Sequence, residues 1–355
     1  MKRVRAKALQ VAVIMGAVGG LMSGCGTPNS VAVANTASAS IKPAHDVKGK
    51  VVTLYFGSYS VTQQIYEQKL FPMFEKYWKQ KTGQTVRFQA SFDASGAEAT
   101  AIANGLPVDV AALSLESDID KLEKAGLITH NWKATPTHGM VTDSIVAIAV
   151  RKGNPKHIKT WADLAKPNVV VDLPNPATSG GAKWDVNAIY YATLRHSSAS
   201  EARSLLTAIV KNVQVLDKSG EASMTTFVNG VGDACVSYEN EILEKSNHLK
   251  TFGEVIPSST MLIENPIALV DKNADAHGDR KVAQAFIDWL EGPDAQRVFM
   301  QYGFRPVNPS LKSEAVKQFK KPSDLFTVAD VGGWSNVNNT LYGTNGIWNQ
   351  VLEGR

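Results

Sequence analysis

Thr142-Asp143-Ser144-Ile145-Val146-Ala147-Ile148-Ala149-Val150 reads as an extended strand with almost no polar face. A run this apolar is expected to be buried on both sides of a sheet. A second such segment, Glu264-Asn265-Pro266-Ile267-Ala268-Leu269-Val270, lies far downstream. Around the two segments, short β-branched runs alternate with amphipathic helical spans, the signature of parallel α/β architecture. Before the first segment the rhythm is a strand at Val51–Phe56, a helix from Gln63 to Gln80, a strand at Thr85–Ala90, a helix from Gly96 to Asn104 and a strand at Val108–Leu113. Between the segments it returns, with strands at Val169–Leu173, Val213–Leu216 and Ala234–Tyr238 and helices at Ala182–Leu194 and near Met224–Val228. After the second come helices at Arg280–Leu290 and Ala295–Tyr302, parted by Gly292-Pro293. The apolar segments are therefore expected to be two hinge strands joining two lobes, lobe I from 49–142 and 265–355 and lobe II from 143–264, with one continuous large sheet as the competing arrangement.

The ends of the chain speak to location. Lys2, Arg3, Arg5 and Lys7 precede an uncharged apolar run from Ala8 to Met22, the order of a secretory signal over residues 1–24. That run is shorter than the roughly 20 apolar residues of a permanent membrane helix. It closes in Leu21-Met22-Ser23-Gly24-Cys25, which resembles the lipobox of bacterial lipoproteins, so Cys25 is the expected site of lipidation and membrane attachment. Cys235 is then the only remaining thiol, which excludes an intrachain disulfide or a cysteine metal site. The small polar stretch 25–48 reads as a flexible tether. The formal charge of +4 is carried entirely by the four basic residues of the leader, so nucleic acid and polybasic membrane binding are disfavoured. An anion held by the rest of the chain must be held by local dipoles.

In open parallel sheets, ligands sit beyond the carboxyl ends of the strands. The segments that follow the expected strands offer a hydroxyl or a glycine amide almost everywhere: Gly57-Ser58-Tyr59-Ser60, Ser91 to Gly96, Ser114 to Ser117, Asn175 to Gly181, Lys218-Ser219-Gly220 and Tyr238-Glu239-Asn240. Two of them run straight into helices. Ser95-Gly96 opens one and Ser179-Gly180-Gly181 another; a helix start presents unpaired amides and about half a positive charge. The competing reading of Ser95 and Ser179 is that each is an ordinary N-cap. Their matched placement in two repeated lobes favours facing anion sites.

The run Thr178-Ser179-Gly180-Gly181-Ala182-Lys183-Trp184 resembles the Ser-Ser-Gly-Gly-Ala-Arg-Trp segment of bacterial periplasmic sulfate-binding proteins. Val150 to Lys156, Lys211 to Asp217, Gly230 to Asp233, Tyr238 to Glu241, and Phe326-Thr327-Val328 with Gly332-Gly333-Trp334 are similar to further segments of that family. The resemblance implies a two-lobed periplasmic binding fold of the second type, a sulfate or related oxyanion as ligand, no cofactor or metal, a monomer, and as partners the permease and ATPase of an ABC importer. It implies that Ser95 donates from lobe I, that Ser179, Gly180 and Gly181 form the opposing nest, and that the amide near Gly220 adds a donor. Tyr238 falls where the family has an indole donor, and Ser60 where it has an aspartate. One departure is Asp93, since a carboxylate accepts hydrogen bonds that sulfate cannot donate and hydrogen phosphate can. The favoured reading is that Asp93 points away and binds helix or loop amides.

An enzyme is the main rival. The chain has no Walker loop, no His-Glu-x-x-His and no Gly-x-Ser-x-Gly. His138 reads as a surface or packing residue, and Asp109, Glu116 and Asp118 as a solvated loop and helix start. Thiosulfate, molybdate, tungstate and phosphate are the alternative cargoes, and a receptor without an importer is a third class.

Overall fold

Valine and threonine side chains at Val51, Val52, Thr53, Thr85 and Val86 suit a pleated, half-buried surface, and they build the first two of ten strands: β1 Val51–Tyr59, β2 Thr85–Asp93, β3 Val110–Ala112, β4 Met140–Arg151, β5 Val171–Pro174, β6 Val213–Asp217, β7 Ala234–Tyr238, β8 Phe252–Val255, β9 Ser259–Leu269 and β10 Asp324–Phe326. The computed structural model describes residues 51–354. The leader, Cys25 and the tether lie outside the described residues, and among these no helix is long and apolar enough to cross a membrane.

The strand order is β2-β1-β3-β9-β4-β7-β5-β6, with β8 beside β4 and β10 beside β9. In the first half β1 pairs in parallel with β2 and β3. In the second, β5 pairs in parallel with β6 and β7. The same three-strand arrangement thus occurs twice, and the fold is the two-lobed binding protein fold.

The two apolar segments are β4 and β9. They pair antiparallel with each other over Met140–Ile145 and Leu262–Pro266. Beyond that overlap β4 continues against β7 and β9 against β3. The hydrogen-bonded path is therefore continuous through both halves, while the packing is not. Phe56, Phe71, Phe74, Val86 and Phe286 form one core, and Val146, Ile148, Leu173, Trp184 and Val236 form another.

The C-terminal tail departs from its assignment to lobe I. Phe326, Trp334, Leu341, Trp348 and Val351 are buried in the second core, Arg195 pairs with Asp324 at 2.9 Å, and the Tyr342 hydroxyl donates to Asn187 Oδ1 at 2.8 Å. The tail carries these five apolar side chains into the core beside the helices Gly180–Leu194 and Ala199–Lys211, and burial decides its place. The helix expected from Gln63 to Gln80 is present, running unbroken from Gln63 to Thr82 with one widened turn over Tyr66–Leu70. Phe71 N–H reaches back to Tyr66 O in a widened turn, immediately before Pro72, which has no amide proton to give.

Candidate functional site

The carboxyl ends of six strands, β1, β2, β3, β5, β6 and β7, converge on a cavity of about 20 Å³ lined by Tyr59, Ser60, Ala94, Ser95, Ser114, Ser179, Gly181, Ser219, Gly220 and Tyr238, with Val61, Asp185, Ser237 and Glu241 completing its wall. That volume exceeds only slightly the 10–15 Å³ needed for one water, so it suits one small guest. Three helices begin there, Ser95–Ala103, Gly180–Leu194 and Gly220–Val228. Their unpaired amides and dipoles make the cavity electropositive without a cation.

Of the residues singled out by sequence, Ser60, Ser95, Ser179, Gly181, Gly220 and Tyr238 all line the cavity. Gly180 stands directly behind it. A Cβ at Gly180 would collide with Ser114 Oγ and come within 3.1 Å of Ser95 Cβ, and one at Gly96 would lie 3.1 Å from Thr178 O. Only glycine permits this approach of the two helix starts. The halves are closed on each other: Trp184 Nε1 donates to Ser114 O at 2.7 Å, and the Tyr59 and Tyr238 rings lie 6.3 Å apart.

The serines differ in what they do. Ser179 and Ser219 are N-caps, accepting from Ala182 N at 3.2 Å and Ala222 N at 3.1 Å; each keeps a hydroxyl proton to donate. Ser95 is not a cap, a role taken by Ala94. Its hydroxyl donates to Asp118 Oδ2 at 2.6 Å and accepts from Ser114 N at 3.0 Å. Asp118, expected in a solvated loop, is therefore buried, as is Asp109. Burial raises the Asp118 carboxyl, opposed by the Ser95 hydrogen bond and by Lys183 and Lys121. Asp93 is exposed and accepts from Ala94 N at 2.7 Å, so it faces away from the cavity.

Tyr59, Ser114, Ser219, Asp185 and Glu241 also line the cavity and were not among the ligand residues expected from sequence, whereas Tyr238 was. The Tyr59, Ser114 and Tyr238 hydroxyls are buried without a hydrogen-bond partner; Ser114 and Asn265 flank the Tyr238 hydroxyl outside bonding geometry. Such orphaned donors cost free energy unless a guest meets them. Ser219 had a visible signal, since it precedes a glycine at a helix start as Ser179 does. Asp185 Oδ1 and Glu241 Oε1 are buried and unpartnered as well. Burial drives Asp185 well above the ordinary carboxyl range, with Glu241 adding to it, and pushes Glu241 up to about 7. Both acids are therefore predisposed to the neutral form.

Among the described residues, Asp109, His277 and Asp279 have a metal-like donor set. They lie at the amino end of β3, opposite the cavity, where Asp109 accepts from Tyr55 N at 2.8 Å and bonds His277 Nδ1 at 2.6 Å. These bonds account for Asp109 as a brace between β1 and the segment following β9.

Residues 67–305 match the family of bacterial extracellular solute-binding proteins. The chain is 41% identical over 308 residues to the sulfate-binding protein of Synechococcus elongatus, covering 86% of this chain and 88% of that one. It is 35% identical to the sulfate-binding protein of Escherichia coli over 87% and 95% of the two chains. Among solved structures, the sulfate-binding protein SubI from Mycobacterium tuberculosis superposes with a TM-score of 0.76 at 32% identity, over 82% of this chain and 99% of the other.

Proposed function

The chain belongs to the bacterial extracellular solute-binding proteins, and from that premise we propose that it captures sulfate in the cavity between its halves and delivers it to the permease and ATPase of an ABC importer. The observation that carries this reading is the convergence of three helix starts and uncharged donors on one small enclosed space. Stripping water from an isolated ion costs on the order of tens of kcal/mol. Each hydrogen bond to a charged group returns roughly 1.5 to 3 kcal/mol, so a dianion needs donors from both halves at once. Ser60, Ser95, Ser179, Gly180, Gly181, Gly220 and Tyr238 are the proposed ligand residues, Ser95 through its helix-start amide because its hydroxyl proton goes to Asp118, joined by Tyr59, Ser114 and Ser219. The sulfate-binding names of the relatives support the choice of anion.

Closure then signals occupancy, because a guest touching both halves stabilises only their closed arrangement. Export by the leader and lipidation at Cys25 would hold the protein at the outer face of the membrane, beside its permease. Lobe I spans 49–142 and resumes at 265, and lobe II spans 143–264 and gains the tail from Phe326. Calorimetric titration with sulfate, thiosulfate, molybdate and phosphate tests the assignment. Submillimolar affinity for sulfate, above the others, is the expected result; absence of binding by all four anions overturns it.

A further inference from the structure

Asp185 is, with Glu241, one of two acids in a cavity otherwise rich in donors. It follows Gly181 at i, i+4 on the helix Gly180–Leu194. Helical side chains lean toward the N-terminus, so this one leans toward the helix start that faces the cavity. It is 1% exposed, lines the cavity, and its Oδ1 has no hydrogen-bond partner. The titratable groups that face it are Glu241 from the helix Glu239–Leu249, Tyr238 and Cys235 from β7, and Tyr342 from the tail. None of them is a cation. An ionised Asp185 beside a fully ionised guest is two like charges in a water-poor space, competing for the same helix-start amides with no cation among these groups to offset their repulsion. A proton between the two removes it, whichever partner brings that proton.

We propose that Asp185 sets which oxyanion the cleft accepts: as the acid it donates to a fully ionised tetrahedral dianion such as sulfate, and as the carboxylate it accepts from one that carries its own proton, such as hydrogen phosphate. This rests on the oxyanion-binding reading above. Asp93, the acid that the sequence brings forward for such a role, is turned away on its loop amide; Asp185 takes its place one turn inside the opposing helix.

The test is titration of the full chain with sulfate and with phosphate across pH, in buffers of different ionisation enthalpy. In the pH range where the free protein holds Asp185 as the carboxylate, sulfate binding is expected to take up about one proton and to lose affinity by up to ~10-fold per pH unit, while phosphate affinity holds. In Asp185→Asn the permanently neutral amide donates without titrating. Its sulfate affinity is expected to flatten with pH, and the ratio of its phosphate affinity to its sulfate affinity to drop by at least about tenfold. Sulfate and phosphate affinities of the unmodified protein that keep the same ratio at every pH, with no proton uptake on sulfate binding up to the most alkaline pH at which the protein stays folded, overturn the proposal, and that measurement needs no variant to fold. A slope that persists in Asp185→Asn but vanishes in Glu241→Gln overturns it too, by moving the role to Glu241. Failure of every oxyanion to bind at any pH overturns the binding reading and this proposal together, which separates the two kinds of failure.

Discussion

Ser179 performs two tasks with one hydroxyl. Its oxygen accepts the Ala182 amide and fixes the start of a fifteen-residue helix, and its proton is left to point at a guest. Ser179→Asp keeps the cap and sets a negative charge against the anion, so sulfate affinity should fall by more than ~100-fold while the melting temperature stays near its original value; calorimetry beside thermal denaturation checks both. Gly180→Ala adds a methyl where Ser114 Oγ stands. The expected outcome is a loss of sulfate affinity through impaired closure, read by titration, with little change in the folding of either core. Glu241 gives a pH signature. Its folded value of about 7 lies above the ordinary 4.5 because burial disfavours the charge. The stability tied to its neutral form is whole below that ordinary value and is lost as pH rises through about 7. Denaturant titrations of the ligand-free protein should show stability declining across that window, and a Glu241→Gln variant should decline less.

The elements record how far a sequence can be read. The two hinge strands were legible because β4 and β9 are buried nearly throughout, and a doubly buried strand has no polar face to confuse its reading. Ser179 was legible as a helix start because capping is local, whereas the helix expected near Met224–Val228 begins earlier, at Gly220, which the sequence brought forward only through the family resemblance. The helix Ala199–Lys211 carried its own signal, a Ser198–Glu201 capping box, yet it bears no ligand chemistry and drew no attention. The short strand β10 has no signal of its own; it exists because β9 offers it an edge. Asp185 and Glu241 were invisible as site residues because nothing local distinguishes a buried acid from a solvated one on a helix, and only the approach of two halves encloses them. The tail is the clearest tertiary effect. Trp334 meets Trp184 edge to face at 4.9 Å, and Trp184 in turn reaches Ser114 across the cleft. Trp334→Ala is expected to cost about 3–5 kcal/mol of stability and to weaken sulfate binding as well, measured by denaturation and titration of the same variant. Unaltered affinity would limit the tail to a packing role.

At the scale of the molecule, the two cores are joined by two strands and by whatever bridges the cleft. A guest gripped from both sides adds a link that neither half supplies alone. Sulfate at about 100 times its dissociation constant should therefore stabilise the protein by about 2.7 kcal/mol, seen as a raised melting temperature. Because the site works through fixed dipoles and not through a basic field, sulfate affinity should change little with an inert monovalent salt, in contrast to an anion held by surface lysines. Selenate has the shape and charge of sulfate and an anomalous scatterer at its centre, so a crystal grown with it locates the guest without ambiguity. The account predicts one strong anomalous peak in the cavity, with oxygens within hydrogen-bond reach of Ser179 Oγ and the Gly181 and Gly220 amides. A peak outside the cleft, or a guest held by lysine and arginine side chains, would contradict it.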